Sequence, residues 1–401
     1  MGEKILRTKI LAIGLLILFL VPICVPATKI PLRKAMNTGN TLYVGGIGEG
    51  NYSTIQAAVD NASSGDTVFV YAGMYPEHLV INTTLSLIGQ DRNTTVINAS
   101  QVDLIAVLIT QNATGVTISH FTIINFFNNT NTSTVIFLSG NNTISDNILR
   151  SKLAINVHTN GNLISYNDIN GFGIGIYNAS NNLIYRNELY NSYAGIAFGT
   201  KNTIRENHLV NCVVALECYS THDNLITGNI VENSNLAGVM IEGSSAIEIA
   251  SNIIHGQGDM CIAGVLTYKS EKLMFHDNLI DGFWFGFNCQ ITNKSWIYHN
   301  QISNNSMGFF MEYAMRNKII ANNIMDNVLN VFTFDIYSIF FLLKRNLWFH
   351  NFWNGFRLLP KPLIGVIAFI NLKIPLPEIQ LDILPAKRPF SITFPETIRD
   401  I

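Results

Sequence analysis

The chain has 401 residues, of which 48% are hydrophobic and only 13% charged, with a formal net charge of −2. That balance lacks the basic field a nucleic-acid partner requires, so no nucleic acid is expected. A chain this long can bury a large core without disulfides. The four cysteines past the N-terminal segment (Cys212, Cys218, Cys261 and Cys289) read as thiols rather than as a disulfide framework.

At the start of the chain, Lys4, Arg7 and Lys9 precede an apolar stretch from Ile10 to Val25, followed by Pro26 and Ala27. This is the layout of a secretory signal over residues 1–27, cleaved after Ala27. The alternative is an uncleaved N-terminal anchor that holds the protein to a membrane, for which the stretch is short. Either reading places residues 28–401, as one domain, outside the cell or on its surface. Dense Asn-x-Ser/Thr sequons between Asn51 and Asn304 agree with an exported glycoprotein.

Residues 40–90 hold an N-terminal cap and the first coils. Ser53 and Gln56 have the spacing of a capping box, and Ile55, Ala58, Val59 and Ala62 share one face of the short helix they would open. Such a helix suits the open end of a stack of strands, where core and unpaired edges are otherwise exposed.

Residues 142–353 repeat. Asn147, Asn167, Asn187, Asn207, Asn229, Asn252, Asn278, Asn300, Asn322 and Asn351 recur at spacings of 20, 20 and 20 and then between 22 and 29 residues, each with an apolar residue two positions on. Most also have an asparagine five positions earlier, as Asn142 does for Asn147. Three residues before the repeated asparagine stand residues such as Ile144, Ile184 and Phe275. At 7, 9 and 11 residues after it come Ala194, Ile196, Phe198, then Val214, Leu216, Cys218, and later Phe285, Phe287, Cys289; Met307, Phe309, Met311; and Leu329, Val331, Thr333. Apolar residues at i, i+2 and i+4 mark strands with one face inward. A coil of about 20 residues with three short strands is one turn of a parallel β-helix, an all-β solenoid. The asparagines are expected to point inward as a structural ladder, amide to amide, because a buried amide without partners costs ~1–3 kcal/mol. A leucine-rich repeat is the weaker alternative, for the dense leucines and helical segments are missing. Residues 354–401 are expected to close the far end.

The cap motif and the Asn-x-x-x-x-Asn repeats together resemble right-handed parallel β-helix repeat proteins of the pectin-lyase-like superfamily. The nearest likeness is to archaeal surface proteins with NosD-like repeats, grouped with the carbohydrate-binding and sugar-hydrolysis domain. Fold alone does not give activity in such a superfamily. The resemblance implies a cell-surface protein whose partner is a polysaccharide or a cell-envelope glycan. It also admits a polysaccharide lyase or hydrolase, a structural envelope component, or a copper-binding NosD-like protein.

The acidic clusters and histidine motifs of known enzymes in that superfamily are missing, which leans against catalysis. The Gly-x-Tyr-x-Glu element of pectin methylesterases is present as Gly73, Tyr75 and Glu77, without their other motifs. The local cluster with acid/base chemistry is His276, Asp277 and His299; solvated corner residues are its bland reading. Among the late aromatics, Trp284, Trp296 and Tyr298 alternate outward and could stack on sugar rings, unless the C-terminal segment buries them. No metal site and no resident cofactor are expected; calcium and copper are the two ions worth weighing. Cys289, Met307 and Met311 fall on inward rows and read as core rather than ligands.

Overall fold

The computed structural model describes residues 39–101, 105–126, 133–151, 153–171, 173–258, 260–337, 345–354, 361–369 and 376–392. The signal or anchor segment lies outside these residues. Runs of three or four residues rich in Ile, Leu, Val and Thr, too short for helices, suit a pleated and half-buried surface. Each run pairs in parallel with its equivalent one coil further on, as Leu183–Tyr185 does with Thr203–Arg205. Three columns of strands result. The first sheet has 13 strands, from Gly73–Tyr75 to Phe352–Trp353. The second column runs from Leu79–Ile81 through Val214–Tyr219 to Lys361–Phe369, and the third from Thr41–Val44 through Met274–His276 to Leu376–Ile383. Lys361–Phe369 and Leu376–Ile383 pair antiparallel and so join the second and third columns. The structure is thus a parallel β-helix of about 13 turns, and Ile55–Asn61 is the α-helix among the described residues.

The asparagine ladder is inward and continuous. From Asn147 to Asn322 each repeated asparagine is at most 1% exposed. Asn207 shows the pattern: its Nδ2 donates to Asn229 Oδ1 (3.0 Å) and to the Ile184 and Arg205 carbonyls. Its Oδ1 in turn accepts from the backbone N–H and the Nδ2 of Asn187. The residue before each ladder asparagine is left-handed, including Asp146, Tyr166, Arg186, Glu206, Asp277 and His299. Side chains resist that conformation at roughly 1–2 kcal/mol per residue. The bond from each asparagine to the carbonyl two positions back, as from Asn207 to Arg205, clamps the corner that needs it. The ladder ends on an aspartate: Asn351 donates to Asp382 Oδ2 through its N–H and its Nδ2, both at 3.1 Å. The last rung has no further amide to supply, so an acceptor-only carboxylate can fill it. The asparagines five positions upstream form a second ladder, Asn142 to Asn162, Asn182, Asn202 and Asn224. The ladder resumes at Ser295, Asn317 and Asn346.

Two expectations are corrected. Phe198, placed inward by counting from Asn187, is 54% exposed at a left-handed corner. Val214, Phe285, Met307 and Leu329 open their strands only partly covered, while Leu216, Cys218, Phe287, Cys289, Phe309, Met311, Val331 and Thr333 are buried as expected. The reason is an insertion. Ala194 and Ile196 of a 20-residue coil align with Leu216 and Cys218 of a 22-residue coil, so the two added residues lengthen the start of the second-sheet strand. The longer coils carry Gly238, Gly264, Gly286 and Gly308 there, where an added Cβ at Gly264 would lie 2.4 Å from Ile280 Cγ2. Second, the helix is capped by Thr54, whose hydroxyl accepts from the Ala57 N–H, and not by Ser53. The Gln56 side chain bonds the backbone of Val80 instead of reaching back. The Glu77 carboxylate takes the Ile55 and Gln56 N–H groups, both at 2.9 Å, and the Tyr75 hydroxyl donates to the Tyr71 carbonyl. Those two members of the Gly-x-Tyr-x-Glu element therefore hold the first coil together. All four described cysteines are free and buried.

Candidate functional site

In the third sheet the middle residue of each strand, such as Ile249, Phe275, Ile297 or Ile319, is buried, and its neighbours face outward. One outward row reads Glu248, Met274, Trp296 and Lys318 in successive coils; the next reads Ala250, His276, Tyr298 and Ile320. Asp277 and His299 are the corner residues that follow.

His276 Nδ1 lies 2.8 Å from Asp277 and its Nε2 3.2 Å from Glu248, while the ring stacks on Tyr298 with centroids 4.9 Å apart. Burial opposes an imidazolium here, yet the two carboxylates together outweigh it and raise His276 to about 9. The hydrogen bond from His276 lowers Glu248 below the usual carboxylate range. Burial, then the charges of Asp277 and Glu248, push the Tyr298 phenol up to about 12. The arrangement is a carboxylate–imidazolium–carboxylate triplet with an un-ionised phenol over it. With both ring nitrogens engaged and protonated at neutral pH, His276 offers no lone pair to a substrate proton. His299 stands apart from the carboxylates, its ring meeting Tyr298 and Phe390 instead. Glu248 was not singled out in the sequence because it precedes His276 by 28 residues; aligning the coils on the ladder exposes it.

The triplet gives a pH signature. A raised histidine pKa stabilises the fold fully below its unfolded value of about 6.5 and progressively less as pH rises through about 9. The shift corresponds to ~3 kcal/mol at most, and solvent screening at the partly exposed carboxylates brings this nearer ~1 kcal/mol. The denaturation midpoint should therefore fall between pH 6.5 and 9.5, and His276→Gln should flatten that slope. An identical slope in the variant would remove the triplet from the account.

The aromatic candidates divide. Trp296 (40% exposed) and Tyr298 share a strand and a face, and Lys318 Nζ sits 4.2 Å from the centre of the Trp296 ring. Trp284, also exposed, lies in the turn into the second sheet, edge-on to Phe285. Trp348 and Trp353 are buried at the C-terminal end. The first sheet carries a charged stripe not anticipated from the sequence: Arg150 with Asp168 at 2.9 Å, and His208 between Glu188 and Glu232 at 2.9 and 3.0 Å. Register aligns Asp168, Glu188 and His208 in successive coils, and only coil alignment reveals it.

Two family models match the chain: a right-handed beta helix region over residues 105–254, and the periplasmic copper-binding protein NosD over residues 198–341. The chain is a right-handed parallel β-helix, similar to NosD over residues 198–341. No curated protein matches it. Solved structures share the fold of this chain at low identity. A mannuronic acid specific polysaccharide family 6 lyase from human gut microbiota is 11% identical, with a TM-score of 0.54 over 75% of this chain and 84% of that one. An alginate lyase, AlyF-OU02, is 12% identical, with a TM-score of 0.51 over 81% and 89%. Tailspike protein 3 of bacteriophage CBA120 is 11% identical, with a TM-score of 0.50 over 79% and 62%.

The copper in the NosD description can be set against the residues present. Cys218, Cys289 and Met311, the soft donors of the matched region that lie on inward rows, are buried in the apolar core. Burial pushes both thiols up to about 12, and a metal needs the thiolate. Among the described residues no three His, Cys, Asp or Glu side chains are grouped to hold a metal ion. These residues do not fit a copper centre.

Proposed function

We propose that this protein is exported or surface-displayed and binds a polysaccharide or envelope glycan on its third sheet, with Trp296 as the stacking platform. The observation that carries this reading is a half-exposed indole on a rigid sheet, flanked by Lys318 and by Tyr298 on the same strand. The CH faces of a sugar ring are apolar and stack on such a surface, while the Lys318 ammonium, which lies over the indole ring, meets hydroxyl or carboxylate groups. Coils repeating at roughly 4.8 Å present equivalent rows along the axis, which suits a linear polymer. The leader-like N-terminus and the periplasmic description of the NosD model support export. Polysaccharide and alginate lyases with the same fold support a polysaccharide partner. Attachment through residues 10–25 would keep the solenoid at the envelope. The doubly bonded His276 argues against a lyase or hydrolase centred there.

A polysaccharide array followed by titration of the best binder tests the reading. Trp296→Ala should weaken binding at least about tenfold, ~1.4 kcal/mol, and Trp284→Ala should leave it unchanged. Wild-type affinity in Trp296→Ala would refute the platform. A protein that binds no glycan yet stays firmly in the envelope would be a structural component.

A further inference from the structure

The second sheet carries a depression of about 300 Å³ with a different chemistry. Its origin is the register. Tyr177, Ala197 and Tyr219 stand in one outward row of three successive coils, and Gly175, Gly195 and Glu217 in the adjoining row. The middle coil therefore presents only glycine and alanine between two coils that carry tyrosine, so the surface sinks there. Tyr193 and Phe198, at the two ends of that middle strand, complete the wall.

The rings are held in place. Tyr177 stacks on His158 of the preceding coil, with centroids 5.6 Å apart and planes 23° from parallel, which leaves its other face toward the Ala197 position. Its hydroxyl lies 3.0 Å from that of Tyr193. Tyr193 leans on Gly195, where an added Cβ would meet its ring at 2.8 Å. Phe198 and Tyr219 pack edge to face at 5.6 Å.

One carboxylate, Glu217, lines this aromatic pit, with no lysine or arginine beside it. Glu217 is half-buried and has no hydrogen-bond or ion-pair partner among the described residues. Burial, then the charge of Glu242 on the next coil, raises its pKa. A carboxylate left without a counter-ion among four aromatic rings is costly in the free protein. Ring faces and a carboxylate both attract an organic cation. An anionic sugar such as a uronate meets only repulsion there. A neutral sugar would find few hydrogen-bonding groups, since two of the phenols are already bonded to each other.

We propose that this pit binds a methylated ammonium group, held by the faces of Tyr177, Tyr193, Phe198 and Tyr219 and neutralised by Glu217. The site is separate from Trp296 on the third sheet and does not depend on glycan binding there. The group could come from a free solute or from a choline-bearing lipid headgroup.

Calorimetric titration of the full chain with choline, with its neutral carbon analogue 3,3-dimethylbutanol and with methyl glucoside decides the matter. Choline should bind at least tenfold more tightly than the neutral analogue. Tyr219→Ala and Glu217→Gln should each weaken choline at least fivefold. Ala197→Tyr, which fills the pit from an outward position, should abolish binding while far-UV circular dichroism stays unchanged. Trp296→Ala should leave choline affinity intact. Vesicles of phosphatidylcholine, compared with vesicles of phosphatidylglycerol, distinguish the sources: retention on the former that choline competes away assigns the lipid, and binding of free choline alone assigns the solute. Equal affinity for choline and its neutral analogue, preference for methyl glucoside, or full binding by Ala197→Tyr would overturn the proposal.

Discussion

Asn207→Ala should lower the unfolding free energy by about 3 kcal/mol, seen as a lower urea midpoint. The side chain donates to Asn229 Oδ1 and to the Ile184 and Arg205 carbonyls, and accepts twice from Asn187. Alanine leaves the buried Asn187 N–H and these carbonyls without that amide, and each such group costs ~1–3 kcal/mol. It also frees the clamp on left-handed Glu206. Asn207→Asp should be nearly as harmful, because a carboxylate can accept from Asn187 but cannot donate to the next coil. Asp382→Asn, at the end of the same ladder, should be close to neutral: no later rung needs a donor, and burial already disfavours the Asp382 charge. Since repeat proteins can unfold in parts, the midpoint is best followed by backbone circular dichroism together with the tryptophan signal. An unchanged midpoint in Asn207→Ala would mean the ladder does not hold the coils.

A comparable loss, ~3–5 kcal/mol, is expected from Trp353→Ala. The indole is 1% exposed, packs on Trp348 with centroids 6.0 Å apart, and donates to Asp382 Oδ2 at 2.6 Å. Its removal opens a cavity at the last coil and withdraws a charge-assisted hydrogen bond from a buried carboxylate. The antiparallel pair Lys361–Phe369 and Leu376–Ile383, which carries Asp382, should then be clipped more readily by protease. Trp353→Phe separates the two contributions, keeping most of the packing while losing the N–H, and should cost about half as much. Wild-type protease resistance in Trp353→Ala would show that the terminal strands are fixed by other contacts.

The architecture was legible because the determining residues repeat. An inward asparagine must stack on its equivalent, and a row of Ile144, Ile164, Ile184 and Ile204 must stay buried; both constraints write a period into the chain. The misplaced residues have two causes. Counting from the ladder asparagine misplaces Phe198 and Phe285 because the longer coils add two residues at the start of the second-sheet strand: Phe285 falls on that extension, and in the shorter coil the strand ends at Ala197, which puts Phe198 on the corner. The helix start is not legible locally because its carboxylate partner, Glu77, comes from the connection between the strands Gly73–Tyr75 and Leu79–Ile81.

The candidate sites were legible only in part. His276 and Asp277 are adjacent in sequence and were found; Glu248, one coil earlier, was not. Trp296 and Tyr298 share a strand, whereas Trp284, which alternation also turns outward, lies in the turn into the second sheet. The pit of Tyr177, Tyr193, Phe198, Glu217 and Tyr219 left no local trace at all. What the sequence by itself determined is the solenoid: its period, its buried ladder and its inward rows, since these follow from local alternation and from the requirement that buried amides be satisfied. What only the tertiary structure decided is which outward residues meet. Outward neighbours lie one coil apart, 20 to 29 residues along the chain, and a shift of one or two residues in any loop changes every pair.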